Sequence, residues 1–171
     1  MKINTHGGGA NTNVNGLKFE QDTSLDSALT NNGYCIIDNK VLLEGSLVGY
    51  SLQKHNLYKF FEHIKDEKWR QYISKKILPD DAFYNISNNT VYIIEKKFQH
   101  GSGSVDEKLQ TCDFKKKEYI KLLSPAGVNV EYLYVLNDWF EQPMYDDVKE
   151  YISVNGCYFF FNSVPITFLG L

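Results

Sequence analysis

The stretch Pro79-Asp-Asp-Ala-Phe-Tyr-Asn-Ile86, Ser87-Asn-Asn89, Thr90-Val-Tyr-Ile-Ile-Glu-Lys-Lys-Phe98 decides how this chain folds. Two runs rich in β-branched and aromatic residues flank a polar turn. That pattern predicts an antiparallel hairpin with strands over 80–86 and 90–98. A two-residue turn at Asn88-Asn89 pairs Ser87 with Thr90. In that register Asp80 faces Lys97, and Ala82 faces Glu95. Directly paired residues project from one side of a sheet, as do residues two apart on one strand. Asp80, Glu95 and Lys97 then share a face, while Asp81 and Lys96 point the other way. A three-residue turn reverses this and brings Asp81 in place of Asp80, because a slip of one residue exchanges the faces.

Working outward, Ser104-Val-Asp-Glu107 has a capping-box pattern that opens a helix. Apolar residues at 109, 112, 119, 122 and 123 fit one face of it, and Pro125 and Gly127 stop it. Val130–Leu136 reads as a strand, Pro143–Ile152 as a helix and Cys157–Phe161 as a last strand, with 157–171 a buried strand and tail. Upstream, Leu52–Ile64 has helical spacing at 57, 60, 61 and 64. Tyr34–Ile37 and Lys40–Leu43 form a hairpin around Asp38-Asn39. Residues 5–16 read as a Gly/Asn-rich loop, followed by a helix through Leu17, Phe19–Glu20 and Leu25–Leu29. Asn31-Asn32-Gly33 ends that helix, since Asn and Gly tolerate the left-handed conformation. The order predicts an α/β (α+β) fold, a mixed central sheet flanked by helices, in a single domain over 1–171.

With 171 residues, 43% hydrophobic and 23% charged, the composition is that of a folded globular chain. The net charge of −3 argues against coating nucleic acid by bulk charge, but leaves room for a local basic surface. Lys96, Lys97, Lys108, Lys115, Lys116, Lys117 and Lys121 crowd into 26 residues. Singly, Lys115–Lys117 read as a solvated helix face; together the seven make a surface for phosphates. No run approaches the ~20 apolar residues that span a bilayer, so no membrane partner is expected. The start, Met-Lys-Ile-Asn-Thr-His6, lacks an apolar signal core, and Cys35, Cys112 and Cys157 form neither a disulfide framework nor a metal knuckle. A cytoplasmic location is expected. His6, His55, His63 and His100 lack metal-ligand spacing, and Gly7-Gly8-Gly9 lacks the Gly-Lys-Ser/Thr ending of a P-loop.

The chemistry therefore concentrates on the hairpin. Neighbouring carboxylates repel unless a cation joins them. Mg²⁺ takes oxygen ligands and keeps several waters, which suits an Asp plus Glu site open to a phosphate. A lysine beside such an ion can orient water or stabilise charge on phosphoryl oxygens. The plain alternative is a surface salt-bridge cluster.

Pro79-Asp80, fourteen residues, then Glu95-Lys96-Lys97 resembles the Pro-Asp…(Asp/Glu)-x-Lys signature of a large nuclease superfamily that includes many type II restriction endonucleases. The apolar run Val91–Ile94 leading into Glu95 is similar too. So are Glu95–Gln99 with Gly103–Gln110, and Asn11–Glu20 near the start. The likeness covers scattered blocks over about 7–123.

The resemblance implies a restriction-endonuclease-like core and a metal-dependent endonuclease acting on double-stranded DNA. It implies Mg²⁺ as cofactor, with Mn²⁺ as a substitute. Asp80 and Glu95 would hold the metal, Lys97 would be the catalytic lysine, and Glu20 the extra acidic residue assisting metal or water. Which of Asp80 and Asp81 is the first ligand stays open. Gln99 shares the strand parity of Lys97. Lys108 and Gln110 would start the next helix, whose amides suit a phosphate, and Asn13 and Asn15 could read base edges from their loop. One chain carries one site, so cutting both strands implies a homodimer. A structure-selective or repair nuclease of the same superfamily, or a non-catalytic DNA-binding module, are the alternatives.

Overall fold

A computed structural model describes residues 8–101 and 104–171, and the side chains of these except 8–13 and 106. Helices α1 (Gly8–Asp22) and α2 (Leu25–Asn31) precede a meander of β1 (Cys35–Ile37), β2 (Lys40–Leu43) and β3 (Ser46–Ser51). Then come α3 (His55–Lys65), the central hairpin β4 (Asp81–Asn85) and β5 (Thr90–Lys97), α4 (Val105–Leu109), α5 (Cys112–Leu123), β6 (Asn129–Leu136), α6 (Asp146–Val154) and β7 (Tyr158–Phe161). The strands form one seven-stranded sheet in sequence order. Pairing is antiparallel from β1 to β5 and parallel from β5 through β7. Parallel neighbours need a crossover; α4 with α5, and then α6, supply the two. The mixed sheet flanked by helices is the α+β class expected.

β5 lies where the two pairing modes meet, and seven of its eight residues are buried. On one face Ala82, Val91, Ile93, Tyr132 and Tyr134 pack with Leu57 and Phe61 of α3 and Tyr119 and Leu122 of α5. On the other, Phe83, Tyr92, Ile94, Leu133 and Val135 pack with Leu25 and Leu29 of α2 and with Leu169. Each such Leu, Phe or Ile stabilises the fold by ~1.5–3 kcal/mol through burial.

The central hairpin has a different register from the one expected. Asn85 pairs with Thr90 and Asp81 with Ile94, so four residues, Ile86 to Asn89, form the connection. Asn85 closes it by accepting the Ser87 N–H at 2.8 Å. The shift is two residues, which leaves the faces unchanged. The first hairpin matches expectation: Asp38 and Asn39 both have positive φ, 49° and 64°, as a tight two-residue turn requires.

Other expectations are corrected. Residues 8–16 are helical rather than a loop, and the helix through Leu29 is two helices. Gly8, Gly9, Gly16, Asn11, Asn13 and Asn15 each cost a helix up to ~1 kcal/mol, so local propensity does not explain this extension of α1. The break falls at Ser24, whose side chain caps α2 by accepting the Ser27 N–H. Residues 5–7 and the Ser102-Gly103 step lie outside the described residues. The helix after them is also two, α4 and α5, broken at Gln110-Thr111, and Ser104 makes no side-chain cap bond. Its apolar face stands: Leu109, Cys112, Tyr119, Leu122 and Leu123 are all buried. β3 completes the meander. β7 is half-buried rather than buried, because it is the sheet's last strand. No helix among the described residues is long and apolar enough to cross a membrane.

Candidate functional site

The last three residues of β5 alternate across the sheet, and each face receives its own ion cluster. On the α5 face, Lys97 Nζ lies 3.0 Å from Glu95 Oε2 and 3.7 Å from Asp80 Oδ2. It also donates to the Lys96 carbonyl at 2.9 Å. Asp80 sits one residue before β4, where its Oδ2 accepts the Lys96 N–H at 2.7 Å. That bond anchors its carboxylate against β5. A second ammonium, Lys115 Nζ of α5, donates to Glu95 Oε2 at 3.0 Å. The other oxygen, Glu95 Oε1, is buried and has no hydrogen-bond partner among the described residues. A buried acceptor left unmet costs ~1–3 kcal/mol, and this oxygen has room in its bonding for a further donor or a cation.

The walls around Glu95 are aromatic. Burial pushes the hydroxyls of Tyr119, Tyr132 and Tyr134 well above the usual tyrosine range, and the Glu95 charge adds to the effect. The Lys97 ammonium lies 6.0 Å from the Tyr134 ring centroid. A carboxylate in such a setting interacts strongly with any cation that reaches it.

On the opposite face, Lys96 Nζ pairs with Asp81 Oδ2 at 2.5 Å, with side chains only 4% and 3% exposed. Asp81 Oδ2 also accepts the Leu25 N–H at 3.1 Å, at the first residue of α2. Burial pushes the Asp81 carboxyl up, and Lys96 partly opposes this. Lys96 donates to the Glu20 carbonyl at 2.9 Å as well, tying α1 to the strand. Asp80 shares the cluster of Glu95 and Lys97, and Asp81 does not.

Both clusters border solvent through a pair of adjoining clefts. One, of about 480 Å³, is lined by Glu20, Lys96, Lys97, Phe98 and Lys108 among others. Its neighbour, about 470 Å³, shares Leu17, Glu20 and Lys96 with it and includes Asp80 and Asp81. Glu20 thus stands between the two clefts with its side chain exposed.

The remaining candidates scatter. Lys108 is exposed at the cleft wall, but it lies in the last turn of α4, and Gln110 follows that helix. Neither begins a helix, so the amide argument for a phosphate there does not apply. Gln110 borders a separate pocket with Met144 and Tyr151. Gln99 is buried, and its side-chain amide donates to the Gly101 carbonyl at 3.0 Å. Asn15 is exposed on α1 rather than in a loop. The side chain of Asn13 lies outside the described residues.

Two participants, Lys115 and Asn137, carry roles that the sequence argument does not assign. Lys115 reads singly as part of a solvated face and, with six other lysines, as a phosphate surface, yet it lies three residues after Cys112 and four before Tyr119, along the apolar stripe of α5; that spacing is the available signal for its inward bond to Glu95. Lys96 and Asp81 form the supporting pair behind the site. Asn137 clamps the chain after β5, accepting the Gln99 N–H at 3.0 Å and donating to the Gln99 carbonyl at 2.9 Å; nothing local in the sequence marks it.

No three His, Cys, Asp or Glu side chains converge as a metal-binding group among the described residues. Asp80 and Glu95 both place carboxylate oxygens around Lys97 Nζ. That donor set fits an ion that retains several waters, such as Mg²⁺. Compared with protein-family models, curated proteins and solved structures, the chain matches none.

Proposed function

We propose that this chain is a Mg²⁺-dependent endodeoxyribonuclease that hydrolyses phosphodiester bonds, of restriction type and acting on duplex DNA as a homodimer. The observation that carries the reading is the buried, unpartnered Oε1 of Glu95 beside Asp80 and Lys97. An ordinary surface salt-bridge cluster would lie in solvent and leave no such oxygen. Asp80 and Glu95 would hold the ion, and Mn²⁺ would substitute for it. When bound, the ion polarises the phosphodiester and lowers the pKa of water.

The chain's own groups supply the rest. Lys97 is held by Glu95, Asp80 and the Lys96 carbonyl, and its ammonium would stabilise charge on phosphoryl oxygens. Glu20 and Lys108 at the cleft wall would orient water and contact the backbone phosphates, respectively. Asp81 and Lys96 act only through position, by fastening α1 and α2 behind the strand.

The test is incubation with supercoiled plasmid and Mg²⁺, followed by sequencing of the ends. Glu95→Ala and Lys97→Ala are expected to abolish cleavage while keeping a cooperative melt. Unique ends support restriction-type action. Cleavage confined to branched DNA would replace that assignment with the structure-selective alternative. Full activity in Lys97→Ala would refute the proposed roles.

A further inference from the structure

The cluster around Glu95 already holds two ammoniums for two carboxylates. A divalent ion entering it would meet both lysines. They differ in how firmly they are held. Lys97 is bound by Glu95, Asp80 and the Lys96 carbonyl. Lys115 has a single side-chain bond among the described residues, to Glu95 Oε2. It reaches the site from α5 on a flexible four-carbon stem and keeps 23% of its side chain exposed. It can therefore leave with one contact broken and its charge returned to water.

We propose that Lys115 is a built-in competitor for the metal: its ammonium neutralises Glu95 in the metal-free protein and is displaced when a divalent cation binds. The inference rests on the metal-dependent reading above. A buried Glu95 with only Lys97 beside it would carry an uncompensated carboxylate once Asp80 is counted, and a buried charge without a partner is costly. Lys115 removes that imbalance at low metal concentration. It also sets a threshold, because part of the affinity for the cation is spent in expelling it. Lys115 is thus a positioning residue for the Glu95 carboxylate, acting on metal occupancy and not on the phosphate.

A merely structural lysine and a competitor predict opposite directions for metal affinity. The experiment titrates Mn²⁺ into the full chain without DNA, read by paramagnetic resonance and by calorimetry. It uses the wild type, Lys115→Met, Lys115→Arg and Glu95→Gln. Lys115→Met is expected to bind Mn²⁺ at least about tenfold tighter than wild type, a difference readily resolved. Lys115→Arg keeps the charge and should stay close to wild type, and Glu95→Gln should lose binding. Should Lys115→Met fail to fold, Lys115→Gln carries the same comparison. Equal or weaker binding in Lys115→Met or Lys115→Gln, with binding still lost in Glu95→Gln, overturns the competitor role and leaves the metal-dependent reading standing. No binding in any variant overturns both.

Discussion

Replacing Lys96 by Met removes one ammonium, and with it the Asp81 ion pair and the bond to the Glu20 carbonyl. The stem of Lys96 is buried and an apolar side chain of similar length fills its place. What remains is the Asp81 carboxylate, 3% exposed, accepting the Leu25 N–H. Breaking a buried pair from one side costs about 3–5 kcal/mol, because the surviving charge is stranded. For a chain of this size each kcal/mol lowers the melting temperature by ~2–4 °C, giving a drop of about 6–20 °C. The loss depends on pH with a definite sign. Burial raises Asp81 above its ordinary ~3.9, and without Lys96 it rises further. A carboxyl raised on folding makes its full contribution below the unfolded value, and loses it as pH rises through the folded value. Lys96→Met should therefore lag wild type less near pH ~4 than in neutral buffer. Lys96→Met/Asp81→Leu should recover most of the loss, since apolar replacements of buried pairs are often neutral or better. Urea melts at both pH values measure all three. A single variant as stable as wild type in neutral buffer, or a double variant no better than the single, would refute the buried-pair argument.

Two further outcomes follow from packing and burial. A Cβ on Gly49 would lie 2.3 Å from the Tyr84 carbonyl oxygen and 2.5 Å from the Phe83 ring, so Gly49→Ala should lose about 1–3 kcal/mol by overpacking, read by thermal melting. Burial holds Tyr119 and Tyr132 protonated well beyond the ordinary range. Their contribution is complete below ~10 and lost as pH rises above it, so tyrosinate absorbance should show these two ionising only with alkaline unfolding; their titration in the still-folded chain would contradict that.

Much of the sheet was legible because strand periodicity is insensitive to the error actually made. Placing the turn at Asn88-Asn89 misjudged the register by two residues, and a period of two absorbs such a shift. An error of one would have exchanged Asp80 and Asp81. Local rules failed where a neighbour decides the outcome. β3 runs unbroken through Gly49, a residue that weakens a strand by local rules but answers the close approach of Phe83 and Tyr84. The helix breaks at Ser24 and at Gln110-Thr111 interrupt segments whose apolar spacing runs straight through them. Asp81 reaches across to the Leu25 N–H, 56 residues away in the chain, and no window of sequence contains that bond.

The same alternation explains why Lys96-Lys97 could not be parsed from composition. Adjacent lysines on a strand cannot serve one site: the pleat sends Lys97 to Glu95 and Lys96 to Asp81. The paired Asp80-Asp81 is split in the same way. Each dyad thus contributes one residue to the Glu95 cluster and one to the Lys96–Asp81 pair on the opposite face. Substitutions should separate accordingly, with stability tracking Asp81 and Lys96, and metal affinity tracking Asp80 and Glu95. A variant of Asp80 that lost as much stability as one of Asp81 would mean that both pairs serve the fold alone, and would remove the structural reason for assigning chemistry to either.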